Sequence, residues 1–145
     1  MIESPTLWST ALLTLDTSGV LALLNKADPD HARVAGAVSR EQGPYLLPTA
    51  LLGEIGYMVN RELGAKVFDE VLGNIESGAL QLDCGGEDMP RLRALLTKFA
   101  DLDLGVADAA VIACAERNGG RVLTLDRRDM EVVAAGRTIT PVPGW

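Results

Sequence analysis

The sequence predicts an α/β fold: a mainly parallel central β-sheet flanked by helices. The first observation behind this is a tetrapeptide used twice, Leu13-Thr14-Leu15-Asp16 and Leu123-Thr124-Leu125-Asp126. In both, a short apolar run of the kind buried in a parallel sheet stops abruptly at a carboxylate. The second is that strand-like and helix-like stretches alternate along the whole chain, with no linker, low-complexity tract or repeat array. Ligands of open α/β sheets gather at the carboxyl ends of the strands, beside the point where strand order reverses. Asp16 and Asp126 are therefore expected at one rim.

Taken in order, Met1 to Thr10 reads as a loose lead-in and Leu12 to Asp16 as the first strand. Thr17 or Ser18 can cap a helix running through Leu24. Asp28-Pro29 suits the cap and first position of a second helix reaching about Glu41. Gly43-Pro44 breaks it before a buried strand, Tyr45 to Leu47. Pro48-Thr49 opens a helix with Leu51, Leu52, Ile55, Met58 and Val59 at helical spacing. Leu63 to Glu76 repeats that pattern, with Val67, Phe68, Val71, Leu72 and Ile75 on one side. Ala79 to Asp83 reads as a strand, and Gly85-Gly86 as a turn into a helix from Asp88-Met89-Pro90 to about Ala100. After a connector, Val106 to Arg117 is strongly helical and ends at Asn118-Gly119-Gly120. Val122 to Leu125 is the next strand, followed by a short helix around Asp129 to Ala134. Thr138 to Val142 suits a last edge strand, since Pro141 fits an edge better than a centre.

Length and composition set the bounds. At 145 residues, 48% of them apolar and 23% charged, the chain suits one soluble domain, residues 1–145. No run reaches the roughly 20 apolar residues of a membrane span. Cys84 and Cys114 are too few for a disulfide scaffold and lack metal-site spacing; they read as reduced packing residues of an intracellular, cytoplasmic protein. The formal net charge of −7, from 20 acidic and 13 basic side chains, argues against a general polyanion binder. It does not exclude a nuclease, because bound metal ions neutralise clustered carboxylates. His31, the single histidine, reads as surface, which leaves no support for a zinc site or a Ser-His-Asp triad.

Four acids stand out by position. Asp16 and Asp126 end strands, Glu54 sits inside the helix after a short strand, and Asp108 lies in the first turn of the Val106–Arg117 helix. In a parallel sheet these places share one rim. Each has an ordinary explanation: the helix dipole favours Asp108, and Glu54 fits a solvated helix face. An acid closing a buried apolar run is less ordinary. Together the acids would repel one another unless a hard cation such as Mg2+ or Mn2+ joined them. Such an ion can ionise water and stabilise a leaving oxygen at phosphorus.

The segments Asp16-Thr17-Ser18, Glu54, Asp101 to Ala113 and Arg121 to Asp129 resemble the PIN-domain nucleases, and within them the VapC toxins of prokaryotic toxin–antitoxin pairs. The likeness runs from about Leu12 to Val142 and is most specific in the last third. It implies a PIN-like fold and a Mg2+- or Mn2+-dependent endoribonuclease, with Asp16, Glu54, Asp108 and Asp126 as the metal-binding acids and Asp129 as a second-tier ligand. It implies a cognate antitoxin and a homodimer. Thr17 and Ser18 match the family's polar residues after the first aspartate. Arg127 and Arg128, directly after Asp126, could contact RNA phosphates. Two features depart from the family pattern: fifteen residues precede Asp16, and Met130 stands where an aromatic is common. The rival expectations are a non-catalytic interaction module on the same fold, and a phosphatase- or receiver-like domain, which lacks here its usual late-strand lysine.

Overall fold

The computed structural model describes residues 11–144, so the expected lead-in, Met1 to Thr10, lies outside the described residues. Within them, five parallel strands are interleaved with seven α-helices. The order is β1 (Thr14–Leu15), α1 (Thr17–Leu24), α2 (His31–Ser39), β2 (Tyr45–Pro48), α3 (Leu52–Glu62), α4 (Ala65–Ser77) and β3 (Leu80–Asp83). Then come α5 (Met89–Lys98), α6 (Val106–Arg117), β4 (Arg121–Leu123), α7 (Arg127–Ala134) and β5 (Thr140–Val142). The sheet runs β3-β2-β1-β4-β5. The chain thus builds outward from β1 on one side, then crosses over to build outward on the other. The reversal falls between β1 and β4, the strands that lead to Asp16 and Asp126.

Leu13, Leu15, Leu47 and Ile55 are buried together on one face, beneath α1, α3 and α4. A cavity of about 210 Å3 lies among Leu15, Val20, Leu47, Ile55 and Val71 there. Thr14 points to the other face, where its hydroxyl lies 3.7 Å from the Cys114 thiol of α6. That helix carries Val111, Ile112, Ala113, Cys114 and Ala115, all buried, against the sheet. Met130 is fully buried, so the thioether fills its site without an aromatic. Helix α1 sits close against β4: a Cβ on Gly19 would lie 2.6 Å from Leu123 Cγ and 2.7 Å from its carbonyl oxygen. Only a glycine lets the start of α1 approach the end of β4 so closely.

Several element boundaries differ from those expected. The second helix starts at His31, because Asp28 Oδ1 accepts from the Asp30 amide at 2.8 Å and holds Pro29 in a turn. Its end is Ser39 rather than Glu41, and Glu41 instead pairs with Arg121 across 80 residues at 2.7 Å. The strand expected at Val122–Leu125 is Arg121–Leu123, with Thr124 and Leu125 drawn into side-chain bonding at the rim. Helix α7 begins at Arg127 because Asp126 caps it, accepting from the Asp129 amide at 3.4 Å. Leu72 is exposed; α4 buries only Val71 fully. Cys84 is exposed and not a packing residue, whereas Cys114 is buried, and burial pushes its thiol up to about 11. His31 is half-buried with Nδ1 2.9 Å from the Ala22 carbonyl, which ties α2 to α1. No helix of the described residues is long and apolar enough to cross a membrane.

Candidate metal and active site

The two Leu-Thr-Leu-Asp copies lie side by side but two residues out of step. Thr14 pairs with Val122 and Leu15 with Leu123, so Asp16 comes level with Thr124 rather than with Asp126. The Asp16 amide continues the ladder, donating to the Leu123 carbonyl at 3.0 Å. The offset turns the second copy's threonine into a support for the first copy's acid. Thr124 Oγ1 donates to Asp16 Oδ2 at 2.8 Å and accepts from the Asp126 amide at 3.0 Å. Ser18 braces the same joint from α1: its hydroxyl lies 3.3 Å from Asp16 Oδ2 and accepts from the Leu125 amide at 2.9 Å. Both aspartates also begin a helix, where the aligned N–H groups favour negative charge. Asp16 Oδ1 accepts from the Thr17 amide at 2.8 Å.

Asp16, Glu54, Asp108 and Asp126 line one open pocket of about 270 Å3 with Thr17, Ser18, Leu21 and Met58. Glu54 reaches it from the first turn of α3 and Asp108 from the first turn of α6. All four expected acids thus meet. Asp129 is not among the pocket's lining residues; one turn into α7, its Oδ1 is buried without a hydrogen-bond partner, 3.9 Å from Arg128 Nε. Arg127 and Arg128 are exposed beside the site, the Arg128 side chain at 82%. Thr17 lines the pocket with its hydroxyl buried and unpartnered.

The electrostatics follow from this crowding. Burial raises the Asp16 carboxyl above its ordinary range, against the hydrogen bonds from Thr124 and Thr17, and the Asp126 charge adds to the rise. Burial and then the charges of Asp16 and Asp126 push Asp108 up to about 6, although the Gly105 backbone amide pulls the other way. The pocket is therefore short of positive charge. Its donors are carboxylate and hydroxyl oxygens, which suit a hard divalent cation. Among the described residues no three acid, imidazole or thiolate groups already stand at chelating distance. The donor chemistry fits a cation, with the carboxylates on the pocket walls rather than drawn in.

Thr124 was not legible as a site residue from its position in a strand. The available signal was a hydroxyl in an apolar run two residues before the acid. Thr124→Val, equal in shape but without the hydroxyl, leaves the Asp126 amide without its acceptor and Asp16 without its shortest side-chain donor. It is expected to cost about 1–3 kcal/mol in a urea titration, whereas Thr124→Ser keeps most of the stability. Equal midpoints for Val and wild type would remove Thr124 from this role.

Comparisons with known proteins point to one family. The PIN domain family model matches residues 13–136. Ribonuclease VapC26 of Mycobacterium tuberculosis (strain ATCC 25618 / H37Rv) is 31% identical over 135 residues, covering 90% of this chain and all of that one. In fold, the chain is similar to the crystal structure of Mycobacterium tuberculosis VapC20, described as a Sarcin-Ricin loop cleaving toxin. The TM-score is 0.72 at 18% identity, covering 83% of this chain and 94% of that one.

Proposed function

The chain belongs to the PIN-domain family, and on that premise we propose that it is a metal-dependent endoribonuclease, the toxin of a type II toxin–antitoxin pair. The observation that carries this reading is the convergence of Asp16, Glu54, Asp108 and Asp126 on one pocket at the reversal point of a parallel sheet. These four residues would hold Mg2+ or Mn2+, with Asp129 supporting from α7. The cation, when bound, supplies Lewis acidity toward water and the scissile phosphate. The chain's own residues do the rest. Thr124 and Ser18 fix the carboxylate of Asp16 relative to the Asp126 backbone, so that the two acids keep their spacing when a polyanion enters. Leu21 and Met58 form the apolar part of the wall. Arg127 and Arg128, at the start of α7, face incoming RNA phosphates.

A cognate antitoxin, a homodimeric state and a cytoplasmic location with the RNA substrate complete the proposal. An antitoxin carrying basic residues complements the −7 charge of the chain; tight binding that survives neutralising those residues would contradict this part. The activity is tested by incubating the purified chain with structured RNA in Mn2+ or Mg2+, with and without EDTA. Internal cleavage that stops with EDTA is expected. Cleavage that persists in EDTA would overturn the metal reading, and no cleavage of any RNA would favour a non-catalytic module.

A further inference from the structure

We propose that Tyr57 and Arg61 of α3 form a stacking platform for a single-stranded RNA nucleotide beside the scissile phosphate. The inference rests on the ribonuclease reading above and adds where the substrate lies. Glu54, Tyr57, Met58 and Arg61 are spaced i, i+3, i+4 and i+7, so they share one stripe of the helix, opposite the buried stripe of Ile55 and Val59. Glu54 and Met58 line the acidic pocket. Tyr57 and Arg61 carry the same stripe outward, over about 10 Å from Glu54 to Arg61.

Tyr57 is 64% exposed and is the one aromatic among the exposed large apolar side chains of the described residues. The Arg61 guanidinium lies 5.3 Å from its ring centroid. An aromatic face with a cation beside it is the arrangement that holds an unpaired base and its phosphate.

Charge also selects this surface. The chain is strongly acidic, and several of its arginines are held in two-point ion pairs: Arg91 with Glu116, Arg121 with Glu41, Arg117 with Asp88. Apart from the Tyr57 ring, Arg61 pairs among the described residues with its neighbour Glu62, through one contact at 3.2 Å with both side chains well exposed, and such a pair holds weakly. It can therefore turn to a phosphate. Continuity with the acidic pocket favours RNA as the occupant over a second copy of the chain.

The test compares wild type with Tyr57→Ala, Tyr57→Phe and Arg61→Ala on a single-stranded oligoribonucleotide in Mn2+. Tyr57→Ala is expected to raise KM about tenfold with little change in kcat, while Tyr57→Phe behaves as wild type because the stacking face is kept. Arg61→Ala is expected to raise KM and flatten its salt dependence. In a second arm, fluorescein-labelled single-stranded RNA is titrated by anisotropy into Asp108→Asn protein in Mg2+, with and without Tyr57→Ala. Weaker binding with Tyr57→Ala is expected. Unchanged KM, or equal binding or none in the anisotropy arm, would overturn the platform while leaving the ribonuclease reading standing. Wild type that binds RNA but never cleaves it would instead count against the ribonuclease reading. If Tyr57→Ala converts a dimer to a monomer in sedimentation, the face belongs to a second copy and the platform is wrong.

Discussion

Asp108→Asn is expected to abolish RNA cleavage while making the metal-free protein more stable. Asparagine keeps the shape and one oxygen able to accept from the Gly105 amide, so the start of α6 survives. It removes a negative charge from a pocket where Asp16, Asp126 and Asp129 already repel it. Loss of one metal-binding acid takes away several kcal/mol of transition-state stabilisation, about a thousandfold in rate. The stability change has the opposite sign. An acid whose folded pKa is raised, here from 3.8 to about 6, binds its proton more tightly in the native state than in the unfolded chain. Native stability then falls as pH climbs from about 4 through 6. The unscreened shift corresponds to about 3 kcal/mol; half-buried Asp108 is open to solvent screening, which reduces this to about 1 kcal/mol. Urea titrations in EDTA at pH 7.5 are expected to show the variant ahead by that amount, with the gap closing toward pH 4. A variant that is less stable at pH 7.5, or that still cleaves RNA at wild-type rate, would remove Asp108 from the site.

How much of this was legible in the sequence depends on the range over which each feature is decided. The alternation of strands and helices, the helix end at Asn118-Gly119-Gly120, and the placement of four acids on one rim follow from local patterns, and the structure keeps them. The first helix, expected to be capped by Thr17 or Ser18, is capped instead by Asp16, whose carboxylate takes the Thr17 amide and makes Thr17 the first helical residue. The register between the two Leu-Thr-Leu-Asp copies does not follow from local patterns. It is settled by how β1 and β4 pack, and the two-residue offset makes Thr124 the partner of Asp16. Nor could local pattern place Leu72, which has helical spacing with Phe68 and Ile75 yet is exposed. The pairs Arg121–Glu41 and Arg91–Glu116 join residues 80 and 25 positions apart. They use up cations that composition alone would leave for RNA. His31 is the smaller case: a polar helix suggested surface, but its ring packs under α1 to meet the Ala22 carbonyl.

A divalent cation is expected to raise the thermal midpoint of the protein, and the rise should shrink in acid. Burial, with repulsion from neighbouring acids added, disfavours the ionised Asp16 and Asp108 whenever no cation is bound, so a ligand that binds only the folded arrangement stabilises it by mass action. At a hundredfold excess over its dissociation constant this amounts to about 2.7 kcal/mol, or about 8 °C for a domain of this size. Protons compete for the same oxygens. With Asp108 titrating at about 6 and Asp16 also raised, most of the competition falls between pH 7 and 5, where unshifted carboxylates would remain ionised. Scanning calorimetry with Mn2+ or Mg2+ at pH 7.5 and at pH 5, for wild type and Asp16→Asn, reads both effects. The midpoint should rise at pH 7.5, rise much less at pH 5, and rise little in the variant. A shift of equal size in Asp16→Asn would mean that the ion binds elsewhere on an acidic surface. A shift that is undiminished at pH 5 would mean that the acids it meets are not the crowded pair at the end of β1 and the start of α6.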